Sequence, residues 1–173
     1  MGKGMAAAML MATVRAALRS VTQHHSPAKA LELAEQSLQS DLDSSDSFVT
    51  LFHGQLNWRD RSLTFVDCGH GYAFLLRRDG GIMDLIPRGL PVGVRDDVIE
   101  EGCICFEPGD TLILYSDGLI DARPELALDN MLLACTVSGA ATAQEMVGRL
   151  VSLTEQKGPM PDDITVLIVR CTA

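Results

Sequence analysis

The sequence predicts an α+β protein in which helices pack on antiparallel sheet. Apolar residues recur at helical spacing near both ends of the chain, over 5–39 and 143–155. Between these regions the pattern changes to short β-prone runs separated by turn-forming residues. A final apolar run, ITVLIV at 164–169, indicates a last, fully buried strand. The predicted order is therefore helices, several strands, helices and one strand.

Two helices are predicted at the start of the chain. Residues 5–22 place Leu10, Val14 and Leu18 on one apolar stripe. Ser26-Pro27 is a typical helix start, and the second helix is expected to run to about Gln39. The polar stretch SDLDSSDS (40–47) is predicted to be a loop. Adjacent histidines at 24 and 25 could bind a metal, but their place between helices favours a solvated turn.

The middle of the chain is predicted to be mostly strand. The expected strands are 48–56, 62–67, 72–77, 82–86, 98–106 and 111–115. Short turn segments separate the first four, which indicates hairpins of an antiparallel meander. The stretch 87–94 is predicted to be a rigid Pro/Gly connector, and 107–110 a tight turn.

Two further helices are predicted before the last strand. Pro124 is expected to open one over 125–136. The other covers 143–155, where Thr142 and Glu145 are spaced as a capping box.

Composition bounds the possible functions. The chain has 173 residues, which suits one domain, and a net charge of −9, which argues against binding nucleic acid through its phosphates. That charge suits a site for divalent cations or simply aids solubility. No apolar run reaches the ~18 residues of a membrane span. The five cysteines lack zinc-site spacing, so we expect reduced packing residues in a cytoplasmic protein.

Acidic residues stand at the ends of two predicted strands. Asp117-Gly118 follows the strand 111–115, and Asp162-Asp163 precedes 164–169. Carboxylates mounted on strand ends are suitable ligands for Mg²⁺ or Mn²⁺, and Gly118 would let the backbone approach a ligand closely. Taken singly, each pair is also a common turn or solvated-loop dipeptide. The residues alone leave both interpretations open.

Five ordered segments resemble a known family. They are MGKGMAAAMLMATVRAALR, FVTLFHGQLN…LTFVDCGHGYAFLLRRDG, GLPVGV, FEPGDTLILYSDGLIDAR and PDDITVLIVR. In this order and spacing they resemble the metal-dependent serine/threonine protein phosphatases of the 2C type, in their bacterial SpoIIE-like branch. The resemblance covers nearly the whole chain. It implies two packed antiparallel sheets flanked by helices, with two Mn²⁺ or Mg²⁺ ions at the edge of the sandwich.

The resemblance also implies roles for individual residues. Asp117 and Asp162 match metal-ligand positions, Asp163 is a weaker candidate, and the backbone of Gly118 would lie near the metal. The ions would activate a water for attack on phosphorus, so no protein nucleophile and no catalytic residue beyond the metal ligands is implied. The turn into the first helix would direct backbone N–H groups at the phosphate, and it consists of Gly2, Lys3 and Gly4.

The chain departs from the family pattern in two places. The family has a metal-bridging aspartate in a Gly-Asp-Val-x-Gly-Lys/His-Gly segment, and Met1 here occupies the x position. The chain is therefore interpreted as residues 1–173 of one domain, its C-terminal portion, arising as a fragment, from a mis-set start codon or as a natural truncation. In CGHGY (68–72) Gly71 replaces the family's Asn, so His70 is interpreted as a hairpin-turn residue rather than a catalytic one.

Three functions follow for consideration. The first is a phosphoserine/phosphothreonine phosphatase domain that is inactive or impaired in this chain alone. The resemblance implies a phosphorylated regulatory protein as its partner, of the anti-sigma-factor-antagonist type in bacterial partner switching, and an upstream sensor or receiver domain. The second is a non-catalytic interaction module with a phosphatase-like fold. The third is a metal-binding hydrolase of other specificity, such as a nucleotidase, and no nucleotide-binding loop supports it. Missing strands would leave an open sheet edge, so we expect a homo-oligomer.

Overall fold

The computed structural model describes residues 4–86, 89–94, 98–154 and 162–172. Its elements are α1 (Met5–Val21), α2 (Pro27–Ser45), β1 (Leu51–Asn57), β2 (Ser62–Cys68), β3 (Ala73–Leu76), β4 (Ile82–Asp84), β5 (Gly102–Cys105), β6 (Thr111–Tyr115), α3 (Asp117–Asp121), a 3₁₀ turn (Pro124–Leu126), α4 (Asn130–Val137), α5 (Ala143–Ser152) and β7 (Val166–Arg170). The predicted α+β class, with two antiparallel sheets and helices, is confirmed.

The chain divides into two compact units. The first unit comprises the described residues of Met1–Gly71 and Ile86–Cys105, and the second those of Tyr72–Leu85 and Phe106–Ala173. Each unit contains one of the two sheets.

The first unit holds α1, α2 and a three-stranded sheet in the order β1-β2-β5. β1 and β2 form the predicted hairpin, with Leu51 opposite Cys68 and Asn57 opposite Ser62. The predicted strand 98–106 is shorter, because only Gly102–Cys105 pairs with β2. The core of this unit comprises Val14, Leu31, Leu38, Leu42, Val49, Val66, Cys68 and Val92.

The predicted loop at 40–47 is wrong. Helix α2 continues to Ser45, and the αL conformation of Asp46 then ends it. The reason is that Leu42 extends the apolar stripe of Leu31 and Leu38 and is only 2% exposed. Packing of this one leucine therefore outweighs the turn propensity of its Asp and Ser neighbours.

The second unit holds α3, α4, α5 and a four-stranded antiparallel sheet in the order β4-β3-β6-β7. In the register of β6 and β7, Thr111 is opposite Arg170 and Tyr115 is opposite Val166. The buried core of this unit comprises Phe74, Ile113, Tyr115, Leu119, Leu133, Ala134, Val137, Ala140, Met146 and Leu150.

The meander prediction is wrong at one connection. The β1–β2 and β3–β4 hairpins form, but β2 pairs with β5 and β3 pairs with β6. The CGHG segment is therefore no hairpin turn. The buried carboxylate of Asp67 accepts the backbone N–H groups of His70 (2.8 Å) and Gly71 (3.0 Å), which ends β2 at this point. His70 accordingly lies in a connector between the two sheets.

Further corrections concern the C-terminal half. The 3₁₀ turn at Pro124–Leu126 ends in the αL residue Ala127, and α4 starts later, with Asp129 accepting the N–H of Leu132 as its N-cap. Strand β7 is not fully buried, because it lies at the edge of the described sheet and Leu167 is 49% exposed.

The predicted N-terminal end of α5 is confirmed. Thr142 accepts the N–H of Glu145 at 3.1 Å, while the Glu145 carboxylate accepts the N–H of Ala141 rather than that of Thr142. Residue 155, the expected end of this helix, lies outside the described residues, as do 87–88 of the Pro/Gly connector. None of the helices in the described ranges is both long and apolar enough to cross a membrane.

Candidate metal-binding site

The C-terminal end of strand β6, which leads into the candidate site, is held in place by contacts of Tyr115. Tyr115 is 6% exposed, and its hydroxyl donates a hydrogen bond of 2.9 Å to Oδ1 of Asn130. The ring of Tyr72 packs against it, with 5.4 Å between ring centroids. The last residue of the strand is thus fixed on both its ring and its hydroxyl.

Ser116 joins the two acidic segments. Its backbone N–H donates to the carbonyl of Thr165 at 3.0 Å, and its Oγ accepts the N–H of Thr165 at 3.0 Å. The same hydroxyl lies 3.3 Å from the carbonyl oxygen of Asp163. Sequence reasoning missed this residue. The available signal was its position before Asp-Gly, where a serine normally caps a helix. Here its hydroxyl bonds across to the other segment instead.

Gly118 lies directly against the second segment. A β-carbon added there would be 2.2 Å from the carbonyl oxygen of Asp163 and 3.1 Å from its carbonyl carbon. Real β-carbons do not approach a backbone that closely, so only glycine allows this contact. The segments of Asp117-Gly118 and Asp162-Asp163 therefore meet at one end of the sheet through their backbones.

The carboxylates at this end are accessible to solvent. Asp117 is exposed and starts α3, and its Oδ1 accepts the N–H of Gly118 at 2.9 Å. Asp162 is partly exposed and accepts the N–H of Asp163 at 2.9 Å. Asp163 is exposed. The alternative interpretation of Asp117-Gly118 as a simple turn is wrong, because Leu119 is fully buried and holds the segment as a helix.

The chemistry of these donors suits a hard divalent cation. Mg²⁺ in proteins is usually held by one or two carboxylates and retains several waters. Asp117, Asp162 and Asp163 offer such oxygens at one sheet end. Across the ranges that the structure describes, however, no group of three or more His, Cys, Asp or Glu side chains is arranged to hold a metal. The described residues therefore fit part of a ligand set.

Most of the turn that was predicted to face the phosphate lies outside the described residues. Gly2 and Lys3 are not among the described residues. Gly4 precedes α1 at its N-cap with φ 97°, a left-handed conformation that favours glycine. The role of these three residues remains a prediction.

Comparison with known proteins identifies the family. The model of the family described as Stage II sporulation protein E (SpoIIE) matches residues 1–172. The chain belongs to the SpoIIE family. It is also 28% identical over 178 residues to the phosphoserine phosphatase RsbU of Bacillus subtilis, covering 98% of this chain and 52% of that relative. It thus spans about half the length of this curated relative.

Solved structures show the same fold. The PP2C phosphatase domain of SpoIIE from Bacillus subtilis, solved with a fragment of its regulatory domain, has a TM-score of 0.81 at 22% identity and covers 98% of this chain and 52% of that chain. The RsbU and RsbW domains of Rv1364c from Mycobacterium tuberculosis give 0.81 at 23% identity, covering 100% and 51%. The catalytic domain of the phosphatase PstP, in complex with two manganese ions, gives 0.65 at 18% identity, covering 90% and 77%. The predicted resemblance to 2C-type phosphatases of the SpoIIE-like branch is confirmed by the family match and by the shared fold.

Proposed function

We propose that this chain is part of a metal-dependent phosphatase domain that removes phosphate from phosphoserine or phosphothreonine in a regulatory protein. The observation that supports it is the backbone contact between Gly118 and Asp163, since it brings acidic residues from two distant motifs to one sheet end. Family membership and the likeness to RsbU support the same chemistry.

In this proposal Asp117 and Asp162 hold a Mn²⁺ or Mg²⁺ ion, and Asp163 is the weaker third candidate. PstP carries two manganese ions on a similar fold, which supports a divalent metal here. Such ions would supply Lewis-acid stabilisation of the phosphoryl oxygens and activation of water. The surrounding residues position the charged carboxylates. Ser116 and Gly118 hold the two acidic segments together, and the Gly118 and Asp163 N–H groups orient the carboxylates of Asp117 and Asp162.

The proposed substrate is a phosphorylated protein of the anti-sigma-factor-antagonist type. The relatives that support this are RsbU and the protein in which RsbU and RsbW domains occur together. An upstream sensor or receiver domain and a cytoplasmic location are part of the same proposal. Cell fractionation checks the location.

The experiment measures Mn²⁺-dependent release of phosphate from a phosphoserine protein by this chain and by an N-terminally extended form. We expect activity in the extended form that Asp117→Asn and Asp162→Asn each abolish, and little or none in this chain alone. Asp163→Asn should have the smaller effect. Asp46→Asn, an exposed acid in the first unit, serves as the matched control and should leave activity unchanged.

A non-catalytic interaction module is the second candidate. It is favoured by the absence, within the described ranges, of a group of three or more side chains able to hold a metal. Inactivity of both forms, together with unchanged binding of the phosphoprotein, would support this candidate over the phosphatase. Self-association is predicted for either function, and a monodisperse monomer in light scattering would contradict it.

A further inference from the structure

The second unit contains a cavity that the proposed phosphatase function does not use. Its volume is about 580 Å³, and its walls include three arginines, Arg77, Arg78 and Arg170. Apolar side chains, among them Leu76, Met131 and Met146, supply much of the remaining wall. In the β6–β7 register, Arg170 is opposite Thr111, at the other end of the strand pair from Tyr115 and Asp117. The cavity therefore lies at the opposite end of β6 from the candidate metal ligands.

One buried carboxylate holds the side chain of Arg77 and the backbone of Arg78. Asp110, 1% exposed, accepts a 2.6 Å bond from the Arg77 guanidinium and a 3.1 Å bond from the backbone N–H of Arg78. A β-carbon added at Gly109 would lie 3.0 Å from Cγ and Cδ of Arg78, so the stem of Arg78 runs over this glycine. Asp110 thus holds the side chain of Arg77 and the backbone of Arg78 beside the cavity, and the exposed side chain of Arg78 lines its wall.

The third arginine is held from the other side of the cavity. One nitrogen of the Arg170 guanidinium donates to the carbonyls of Ala140 (2.7 Å) and Ala141 (3.0 Å). A guanidinium has five N–H donors, so these two bonds use only part of its capacity. A fixed guanidinium such as that of Arg170 is well suited to carboxylate and phosphate because little side-chain entropy is lost on binding.

The charge of the cavity is opposite to that of the chain. The whole protein carries −9, whereas no acidic residue is among the described residues that line the cavity. The charge of Arg77 is balanced by Asp110 behind it, and the positive charge of Arg78 and Arg170 remains on the wall. An anion is therefore attracted here, while the apolar wall favours a ligand with an apolar body.

From these contacts we infer that the cavity binds a small organic anion, in which an apolar or aromatic body carries a phosphate, phosphonate or carboxylate group. The anionic group contacts Arg78 and Arg170, and the apolar body covers Leu76, Met131 and Met146. Because this site needs no metal ion, its existence does not depend on the proposed phosphatase activity.

The test uses 1-naphthylmethylphosphonate, a probe with an aromatic body and a phosphonate that a phosphatase does not hydrolyse. The full chain, labelled with ¹³C at the methionine methyl groups, is titrated by NMR in the presence of a metal chelator. We expect the methyl signals of Met131 and Met146 to shift, and those of Met5, Met9 and Met11 in α1 to stay unchanged. Inorganic phosphate and 1-naphthalenemethanol are titrated in parallel and should bind at least about tenfold more weakly.

Two variants and a control locate the site. Arg78→Gln removes one cation, and Met131→Glu places a carboxylate in the cavity at a side chain that is 67% exposed and so is tolerated by the fold. Each variant should bind the probe roughly tenfold more weakly, which corresponds to the loss of one charge-assisted contact. Arg59→Gln makes the same charge change at an exposed turn of the first unit and should leave binding unchanged.

Three outcomes would overturn the inference. They are no shift at Met131 and Met146, equal binding of inorganic phosphate, and equal binding of the probe by the Met131→Glu variant. Loss of phosphatase activity in any form of the chain has no bearing on it, because the binding is measured without metal.

Discussion

The two ends of β6 both carry an aspartate, and the two carboxylates have opposite environments. Asp110 precedes the strand and is 1% exposed, whereas Asp117 follows it and is exposed. Asp110 is surrounded by donors, since it accepts bonds from the Arg77 guanidinium and from the N–H groups of Glu107 and Arg78. Asp117 accepts the N–H of its neighbour Gly118 and faces solvent.

The surroundings decide what each carboxylate can do. Burial raises the pKa of Asp110, but the hydrogen bonds from Glu107, Arg77 and Arg78 outweigh burial, so its pKa lies below the usual value. A carboxylate satisfied in this way stabilises the fold and has little capacity for a further ligand. An exposed carboxylate at a fixed strand end keeps its lone pairs available for a metal ion. Three predictions test this contrast, and a fourth concerns a half-buried histidine in the first unit.

Replacing Asp110 should give the largest loss of stability. Asp110→Asn removes the ion pair with Arg77 and the charge-assisted bonds to two backbone N–H groups. We expect a loss of about 2–3 kcal/mol in the free energy of unfolding, measured by urea denaturation. Asp117→Asn should change it by no more than about 0.5 kcal/mol. Mn²⁺ affinity should show the reverse order, and equal losses of stability in the two variants would contradict the contrast.

Gly118→Ala should weaken the metal end of the strand. The added methyl group must displace the Asp163 carbonyl, which lies 2.2 Å from its position. We expect a loss of roughly 1–3 kcal/mol, together with weaker Mn²⁺ binding as the two acidic segments separate. Gly148→Ala in α5 is the matched control, because no atom lies within 4 Å of its added β-carbon. It should stabilise the chain by about 0.5–1 kcal/mol, and similar behaviour of both variants would disprove the backbone contact.

Acid should reveal the stabilising role of Asp110. Its folded-state pKa is lowered, so its contribution is complete above the unfolded pKa of about 3.9 and is lost as pH falls through the folded value. The difference in unfolding free energy between the natural chain and Asp110→Asn should therefore shrink from pH 5.5 to pH 3. A difference that stays constant over this range would show that Asp110 stabilises the chain through packing instead.

His53 in the first unit should give the smallest effect. For His53 burial itself lowers the pKa, whereas for Asp110 burial opposes the lowering of the pKa. The folded state therefore favours the neutral ring of His53. The unfolded chain then binds a proton first, and stability falls as pH drops below the unfolded value of about 6.5. His53→Gln should flatten the stability profile between pH 7.5 and pH 5.5, whereas His24→Gln, at an exposed site, should not. Parallel profiles for His53→Gln and the natural chain would rule this out.

Sequence reasoning worked best where a pattern is local. Strand 111–115 was predicted with its observed bounds, and α1 and the start of α2 within one residue, because periodicity and the Ser26-Pro27 signal act within a few residues. It failed where partners distant in sequence decide. The extension of α2 through Leu42 depends on packing in the core. The meander prediction paired β2 with β3, but β2 pairs with β5 and β3 pairs with β6, which lie much later in the chain.

The candidate site, too, has features that the sequence predicts and features that depend on long-range contacts. Carboxylates at two strand ends, and the family that carries them, could be named from the sequence alone, since residue type and order are enough for both. Their meeting through Ser116 and Gly118 required the β6–β7 register, which no single segment encodes. Likewise, Arg77 and Arg78 are far from Arg170 along the chain, and the pairing of Thr111 with Arg170 brings all three to one cavity. The sequence by itself determines residue types and local patterns. Which groups become neighbours is decided by long-range strand pairing and by burial of the core.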